Sequence, residues 1–260
     1  MGAIALHHEI TGERGAPPVL LLNSLGSTLA MWERQVPALA EQFLVLRCDT
    51  RGHGESPVPP GPYVIDDFVD DAVALLDNLG LGQAHVAGLS LGGMVAMRLA
   101  AREPERVERL ALLCTSAQLG PPETWAERAA TVRAQGTGAV ADTVVSRWLT
   151  ETRRAAEPQT TEYLREMVAA TPADGYAACC EAIRDADLRA DLTTITAPTL
   201  VVSGADDPST PPAQLQAIAA GIPNSRLLEL ADCAHMATID QADAVTAALV
   251  EHFSAGGRSG

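Results

Sequence analysis

The order of apolar segments constrains the fold of this chain more than any other feature of its sequence. Short, mostly apolar segments alternate with segments of helical periodicity along most of the 260 residues. Apolar runs of this length, bounded by glycine, proline or polar residues, are typical of parallel strands buried on both faces. The runs are residues 19–22, 43–48, 84–87, 110–113, 199–202 and 226–230. We therefore predict an α/β fold with a mostly parallel central sheet.

Two of the intervening segments carry clear helix signals. Residues 66–79 place apolar side chains on one helical face, begin with two aspartates and stop at Gly80. Residues 91–102 are apolar nearly all round and end before Pro104, as expected of a helix that packs against a sheet. Repeated strand–helix units imply right-handed crossovers and helices on both faces of the sheet.

The alternation stops in the middle of the chain, where residues 117–190 contain helical patterns and no convincing strand. We interpret this stretch as a helical cap inserted into a core that consists of residues 1–116 and 191–260. The tryptophans and tyrosines of the stretch are Trp125, Trp148, Tyr163 and Tyr176. Aromatic side chains with a polar tip suit a pocket wall, and ordinary packing within the cap is the alternative.

Composition excludes several classes of function. A formal net charge of −15 argues against binding to nucleic acid or to anionic membranes, because both require a basic surface. The sequence contains no lysine, which excludes Schiff-base chemistry. Five scattered cysteines, with no nearby histidine pair, favour a reduced cytoplasmic protein without a zinc site. No apolar run is long enough to span a bilayer, and the tail at residues 254–260 is expected to fray.

The sequence "GLSLGG" at residues 88–93 predicts a catalytic nucleophile. It follows a predicted strand and precedes a predicted helix, so the chain must turn sharply at Ser90. Glycines at positions 88 and 92 leave room for that turn, because a Cβ there would collide with the backbone. The turn exposes the Ser90 hydroxyl beside a helix N-terminus. The alternative is a chance serine in a glycine-rich loop.

A serine nucleophile needs a histidine base and an orienting acid, which in this architecture follow in the order Ser, acid, His. His235 follows the last strand in "LADCAHMATID", whereas His252 lies in the last helical pattern and is expected on the surface. We therefore predict His235 as the base. His53, in "DTRGHGES", is expected to fix a turn. The remaining histidines, expected to be structural or exposed, are His7, His8 and His85.

The predicted acid is Asp207, in the segment "VVSGADDPSTPP" after a strand. It stands immediately before Pro208 and three residues after Gly204. Its neighbour Asp206 is the alternative acid, or it caps the turn.

An oxyanion formed by attack on a carbonyl needs two hydrogen-bond donors. We predict that the Leu91 N–H, just after the nucleophile, provides one of them. The Leu25 N–H, in the loop "NSLGS" after an early strand, is predicted as the other. The polar residues of this loop, which either shape it or contact substrate, are Asn23, Ser24 and Ser27.

Five segments in this order resemble the α/β-hydrolase superfamily: "NSLGSTLAMW", "DTRGHGES", "GLSLGGMVAM", "GADDPSTPP" and "CAHMATID". The cap segments "SRWLT" and "DGYAACCEAIRDADLR" resemble the 3-oxoadipate enol-lactonases of the β-ketoadipate pathway. The resemblance implies that Ser90, Asp207 and His235 form the catalytic triad. Two segments depart from the pattern: "NSLG" stands where many members have His-Gly, and "IDQAD" stands where a glutamate and a proline are expected.

The resemblance also implies a substrate, 3-oxoadipate enol-lactone, and a reaction that needs no cofactor and no metal. This lactone carries a carboxylate, so an acidic protein needs a local cation in its pocket. Residues 117–190 hold 8 of the 18 arginines, and a guanidinium can bind a carboxylate with two hydrogen bonds. The candidate substrate-binding residues are Ser24, Arg147, Trp148, Arg184 and Arg189.

Three alternatives remain open from the sequence. The chain is another ester or lactone hydrolase, a cofactor-free haloperoxidase or perhydrolase, or a non-catalytic ligand-binding protein on the same scaffold. Some members of the resembled family are fused to a carboxymuconolactone decarboxylase domain, so fusion or association with that enzyme is a further expectation. The oligomeric state is left open.

Overall fold

The computed structural model describes residues 2–255 and contains a seven-stranded sheet. In chain order the strands are β1 (His8–Thr11), β2 (Pro18–Leu22), β3 (Leu44–Cys48), β4 (Ala84–Leu89), β5 (Val107–Leu113), β6 (Thr199–Gly204) and β7 (Ser225–Leu230). Across the sheet they follow the order β1-β3-β2-β4-β5-β6-β7. Every neighbouring pair is parallel except β1 with β3. The predicted α/β fold with a mostly parallel central sheet is therefore confirmed.

Strand β1 is the one strand of the sheet that the sequence analysis missed. It lies at the sheet edge, antiparallel to β3, with His8 opposite Cys48. Its sequence is mostly polar, and Ile10 is 44% exposed. An edge strand with solvent beside it needs no continuous apolar run, so the search for buried parallel strands could not detect it.

Helices cover the sheet and form the insertion. They are α1 (Val36–Ala40), α2 (Ile65–Asn78), α3 (Leu91–Arg102), α4 (Pro122–Gln135), α5 (Gly138–Trp148), α6 (Glu151–Ala156), α7 (Pro158–Ala170), α8 (Ala173–Asp185), α9 (Pro212–Gly221), α10 (Ala237–Asp240) and α11 (Ala242–Ser254). Short 3-10 turns lie at Leu29–Trp32, Pro104–Arg106 and Leu192–Thr194. Helix α2 packs against α3, and α1 packs against α11. The two helices predicted at 66–79 and 91–102 correspond to α2 and α3.

The insertion between β5 and β6 is helical, as predicted, and consists of α4 to α8. Within it, α4 packs mainly against α8 and α5 mainly against α7. The division of the chain into core and cap at residues 117 and 190 stays a prediction. We use the name cap for helices α4 to α8 below.

The parallel strands bring the predicted site residues to one edge of the sheet. Chain segments that follow the carboxyl ends of parallel strands meet at the same edge. The loop at residues 23–27 follows β2, Ser90 follows β4, Asp207 follows β6, and His235 follows β7 after a short loop. Within residues 2–255, no helix is long and apolar enough to cross a membrane. Apart from Ser254 and Ala255, the tail predicted to fray lies outside the described residues.

Candidate active site

Ser90 lies on a strained turn between β4 and α3. Its backbone has φ 57° and ψ −117°, a combination that is costly for any residue with a Cβ. A Cβ on Gly88 would lie 2.1 Å from the Gly92 carbonyl oxygen, and one on Gly92 would lie 2.3 Å from the Leu22 carbonyl oxygen. The Ser90 N–H donates to the Leu113 carbonyl over 3.0 Å. The two glycines therefore permit the turn, and the neighbouring strand holds it.

The carboxylate of Asp207 and the imidazole of His235 form a buried pair. The distance from His235 Nδ1 to Asp207 Oδ2 is 2.8 Å. Burial alone would raise the pKa of Asp207, but His235 and hydrogen bonds from Thr210 hold it below its usual range. An ionised carboxylate at Nδ1 favours the tautomer whose Nε2 can accept a proton. Asp206, the alternative acid, is exposed and lines a surface groove instead.

Thr210 is a member of this cluster that the sequence analysis missed. Its hydroxyl donates to Asp207 Oδ2 over 2.6 Å, and its N–H donates to Oδ1 over 3.0 Å. The Ser209 N–H also donates to Oδ1, over 2.7 Å. An aspartate followed by serine and threonine is a turn signal in which the carboxylate accepts from the backbone ahead of it. That signal could have identified Thr210 as the group that orients the acid.

Ser90 and His235 line the same pocket. In the described part of the chain, the Ser90 hydroxyl makes no hydrogen bond to the imidazole. Hydrogen bonds between nucleophile and base are often loose in enzymes without substrate and tighten when substrate binds. The geometry thus brings the predicted nucleophile, base and acid to one place.

Asn23 shapes the loop after β2. Its side-chain amide donates to the Cys48 carbonyl over 2.6 Å, and its Oδ1 accepts from Trp32 Nε1 over 3.1 Å. Its backbone carbonyl accepts the Gly92 N–H over 2.9 Å. Because each of these polar groups is occupied, Asn23 has a structural role, and it connects the loop to the helix that follows Ser90.

Two backbone amides in the pocket region have no acceptor among the described residues. Leu25 lines the pocket, and its N–H makes no hydrogen bond within residues 2–255. Leu91 is the first residue of α3, so no preceding helical carbonyl can accept its N–H. These are the two amides predicted to hold an oxyanion. Ser24 also lines the pocket.

The pocket is small and lies beneath the cap. Its volume is about 180 Å³, and Trp125, Trp148 and Tyr176 contribute to its wall. Pockets for drug-sized ligands usually measure roughly 300–1,000 Å³. The pocket therefore suits a small substrate. All three aromatic residues were candidates for the pocket wall from the sequence, whereas the fourth candidate, Tyr163, is 51% exposed and does not line the pocket.

The structure places one of the three predicted arginines at the pocket and two of them elsewhere. Arg184 forms a bidentate pair with its neighbour Asp185, and Arg189 does the same with Asp187. Neither arginine lines the pocket, because each is held at the surface by a carboxylate beside it in sequence. Arg147 does line the pocket, although its side chain is exposed to solvent.

Arg128 is a second arginine that lines the pocket, and sequence analysis missed it. It lies on α4 with its guanidinium 4.8 Å from the centre of the Trp125 ring. No carboxylate of residues 2–255 forms an ion pair with it. Its position on the inner face of α4 depends on how α4 packs against α8, and the local sequence carries no signal of that packing.

Tyr176 places a polar group beside Arg128. Its hydroxyl is buried and has no hydrogen-bond partner of acceptable geometry among the described residues. Burial raises its pKa well above the usual range, although Arg128 is close enough to act in the opposite direction. The protonated hydroxyl is therefore available as a donor to a ligand in the pocket.

The remaining histidines are buried or partly buried. His252 was predicted on the surface, which is wrong: it is 5% exposed, and its Nε2 lies 3.0 Å from the Leu110 carbonyl oxygen. The helix α11 that carries it covers the sheet. His53 fixes a turn as predicted, with its imidazole hydrogen-bonded to two backbone groups.

The five cysteines are buried and unpaired. No group of side chains in residues 2–255 has the arrangement of a metal site.

Comparison with known proteins gives consistent matches over nearly the whole chain. The family described as alpha/beta hydrolase fold matches residues 17–242. The 3-oxoadipate enol-lactonase 2 of Acinetobacter baylyi is 38% identical over 241 residues, which cover 93% of this chain and 90% of that protein.

Solved structures agree with these matches. The crystal structure of an enol-lactonase from Burkholderia xenovorans has a TM-score of 0.94 and 44% identity, with 96% of each chain covered. A thermophilic esterase from Thermogutta terrifontis, solved with malate bound, has a TM-score of 0.90 and 32% identity, covering 95% of this chain and 92% of its own.

Proposed function

The chain belongs to the α/β-hydrolase fold family, and from that premise we propose that it hydrolyses 3-oxoadipate enol-lactone through Ser90, His235 and Asp207. The observation that carries the proposal is the buried His235–Asp207 pair, 2.8 Å apart, in a small pocket shared with Ser90. The similarity to two enol-lactonases supports the choice of substrate.

The first half of the reaction forms an acyl-enzyme. The Ser90 hydroxyl attacks the lactone carbonyl while His235 Nε2 accepts its proton. The Leu25 and Leu91 amides donate to the resulting oxyanion. When the tetrahedral intermediate collapses, the ring C–O bond breaks and expels an enolate, which is a better leaving group than an alkoxide. The imidazolium of His235 protonates the leaving enolate, and the enol tautomerises to a ketone.

The second half releases the product. His235 takes a proton from water, and the hydroxide attacks the acyl carbonyl. The intermediate collapses, the proton returns to Ser90, and a dicarboxylate with a keto group leaves. Asp207 remains ionised throughout and stabilises the imidazolium in both halves. Thr210 holds the carboxylate in the orientation that both halves require.

The carboxylate of the lactone binds to Arg128 and Tyr176. Arg128 has no counter-ion within the described residues, and the Tyr176 hydroxyl has no hydrogen-bond partner there. A substrate carboxylate would satisfy both groups at once, and charge-assisted hydrogen bonds of this kind are among the strongest in proteins. Arg147 also lines the pocket, but its side chain is exposed to solvent, whereas that of Arg128 is partly buried.

A hydrolase of another small carboxylic ester is the second candidate. The likeness to the Thermogutta terrifontis esterase favours it, since fold and triad do not determine substrate. The five unpaired buried cysteines favour a reducing compartment such as the cytoplasm for either enzyme.

The decisive experiment follows the ultraviolet absorbance of freshly generated enol-lactone with purified protein. We expect rapid loss with the natural chain and a kcat lower by at least about 10⁴-fold in Ser90→Ala, since a triad without its nucleophile retains little activity. A p-nitrophenyl ester is assayed in parallel. Cleavage of the ester without cleavage of the lactone would support a hydrolase activity but would reject the lactone as its substrate.

Neighbouring aspartates provide a matched control for the acid. Asp207→Asn should lower kcat by about 10⁴-fold, because the amide no longer favours the productive imidazole tautomer. Asp206→Asn changes an exposed carboxylate one residue away and should leave kcat unchanged. Equal effects of the two substitutions would refute the assignment of Asp207.

A further inference from the structure

His53 connects two loops next to the proposed oxyanion site. Its Nε2 accepts the Gly26 N–H over 2.9 Å, and its Nδ1 lies 3.3 Å from the Arg51 carbonyl oxygen. Because a carbonyl can only accept, Nδ1 carries the proton and Nε2 has the free lone pair. The imidazole is fully buried and lies 6.4 Å from the Tyr176 ring. This histidine has no place in the triad, yet its contact falls within the turn that carries Leu25.

The backbone amides of that turn are occupied except for one. The Ser24 N–H points at Met31 Sδ over 3.3 Å, and the Ser27 N–H donates to the Ser24 carbonyl over 3.2 Å. The Gly26 N–H donates to His53. Among residues 2–255, this leaves the Leu25 N–H without an acceptor. The free amide is therefore flanked by peptide groups that are held in place on both sides.

The turn also has little freedom to adjust. Gly26 has φ +80°, a conformation that residues with a Cβ rarely adopt, and a Cβ there would lie 3.0 Å from the Tyr176 ring. Without His53, the Gly26 N–H, which belongs to the Leu25–Gly26 peptide group, would have no hydrogen-bond acceptor. A buried N–H without a partner is unfavourable, so the peptide would be expected to rotate toward another acceptor.

We propose that His53 is a positioning residue that holds the Leu25–Gly26 peptide so that the neighbouring Leu25 N–H is directed at the oxyanion. The inference rests on the proposed serine-hydrolase function and not on the identity of the ester. Burial lowers the pKa of His53 to about 4, so the imidazole stays neutral and remains an acceptor at the pH of catalysis. A lysine or arginine here would offer only donors.

The test compares three variants with the natural chain. His53→Leu removes the acceptor at similar volume, whereas His53→Gln places an amide oxygen near the position of Nε2. His85→Leu is the matched control, because His85 is also buried but stacks on Phe253 away from the pocket. Two rate constants are measured, kcat for a p-nitrophenyl ester and the rate constant for labelling of Ser90 by a fluorophosphonate, and KM for the ester is determined alongside them.

We expect a different effect on kcat and on the labelling rate constant in each variant. In His53→Leu, kcat and the labelling rate fall by about 10- to 100-fold while KM changes little, because a misplaced oxyanion donor affects the transition state. In His53→Gln both rates stay within about fivefold of the natural chain, since the acceptor is restored. In His85→Leu both rate constants stay equal to those of the natural chain, although this variant, like His53→Leu, lacks a buried imidazole.

Several results would overturn the proposal. A folded His53→Leu with undiminished kcat and labelling would do so, as would equal losses in His53→Leu and His85→Leu. If His53→Leu does not fold by circular dichroism, His53→Asn takes its place, because its shorter amide cannot reach the Gly26 N–H; equal rates in His53→Asn and His53→Gln then reject the proposal. Absence of both activities in the natural chain would instead reject the proposed hydrolase function.

Discussion

Arg128 lines the pocket and has no carboxylate partner within residues 2–255. Two other cap arginines, Arg147 and Arg154, also lack such a partner there, and Arg154 donates to backbone carbonyls. Arg133 pairs with Glu181, and Arg153 pairs with Glu157, as surface guanidinium groups usually do. Arg128 lies over the Trp125 ring instead, a position in which the positive charge faces the π-electrons and the pocket at once. An unpaired cation at the wall of a small pocket is a feature that an anionic substrate would stabilise.

Replacing Arg128 should separate binding of charged and neutral substrates. We expect Arg128→Gln to raise KM for the anionic lactone by about 10- to 100-fold, the equivalent of one charge-assisted hydrogen bond. KM for a neutral p-nitrophenyl ester should change by less than about twofold. Steady-state kinetics with both substrates gives the comparison.

Arg184→Gln is the control for this substitution. Arg184 belongs to the same cap but pairs with Asp185 outside the pocket, so its loss should leave both KM values unchanged. A rise in KM for the neutral ester as large as that for the lactone would show that Arg128 acts through cap packing and not through charge.

At the residue scale, sequence alone predicts those groups whose neighbours in the chain determine their role. Ser90 is recognisable because the glycines on either side of it are required by its own turn. Asp207 and His235 are recognisable because each follows a strand in the expected order. Arg128 is not, since its position depends on the packing of α4 against α8, and no local pattern encodes that arrangement. Tyr176 was a candidate for the pocket wall, but its place beside Arg128 depends on the same packing.

Two of the contacts between the cap and the core lie close to the proposed site residues. The first lies next to His235, where the Met236 N–H donates to the Trp148 carbonyl over 2.7 Å. There the buried carboxylate of Asp240 also accepts hydrogen bonds from the Ala234 and Thr150 backbone amides. Asp240 lies in the segment "IDQAD", which departs from the family pattern, and burial raises its pKa. The cap therefore holds the loop that carries His235 through its backbone.

The second of these contacts is between two glycines. A Cβ on Gly175, near the start of α8, would lie 2.3 Å from the Gly52 carbonyl oxygen. Gly52 itself has φ +77° in the loop that also carries His53. Because both partners are backbone, neither can move aside as a flexible side chain would.

Gly175→Ala should therefore loosen the cap. We expect a loss of about 1–3 kcal/mol in the free energy of unfolding, which corresponds to about 3–10 °C in Tm, because an added methyl group forces a backbone shift. Gly138→Ala in α5 is the matched control, since the nearest atom to its added Cβ would be 3.9 Å away. Thermal unfolding followed by circular dichroism distinguishes the two, and an equal Tm for both variants would contradict the close-contact explanation.

At the element scale, the sequence predicts the buried strands well. Strands β2 to β6 and helices α2 and α3 are readable because burial requires a nearly continuous apolar pattern. Edge strand β7 is largely exposed but was still predicted, because it contains three leucines. Strand β1 escapes because His8–Thr11 forms hydrogen bonds on one side only and needs few apolar residues. The contacts between cap and core, such as that of Gly175 with Gly52, join positions far apart in the chain and leave no periodic signal.

Across the whole molecule, three buried histidines make stability depend on pH. Burial lowers the pKa of His53, His85 and His252 to about 4 from an ordinary value of 6.5. Their contacts differ, since His53 accepts from a backbone amide while His85 stacks on Phe253 at 5.0 Å. In all three, the folded protein holds the imidazole neutral, whereas the unfolded chain can protonate it freely.

The unfolded chain therefore binds these protons first as the pH falls, and stability is lost between pH 6.5 and about 4. Above pH 6.5 both states are neutral and the histidines have no effect. Between pH 7.5 and 5.0 each histidine should lower the free energy of unfolding by about 2 kcal/mol, which for three is comparable with the usual total of about 5–15 kcal/mol. Urea unfolding at the two pH values measures the loss.

Comparison with His85→Phe assigns this loss to the histidines. The substitution keeps an aromatic ring against Phe253 and removes one titrating group, so the difference between pH 7.5 and 5.0 should shrink by about 2 kcal/mol. The comparison is needed because burial raises the pKa of Asp71 and Asp240, and these carboxylates favour the folded state as the pH falls. Their contribution is common to both proteins and cancels. An unchanged pH difference in His85→Phe would contradict the prediction, because it would show that the buried His85 imidazole does not contribute to the loss of stability at low pH.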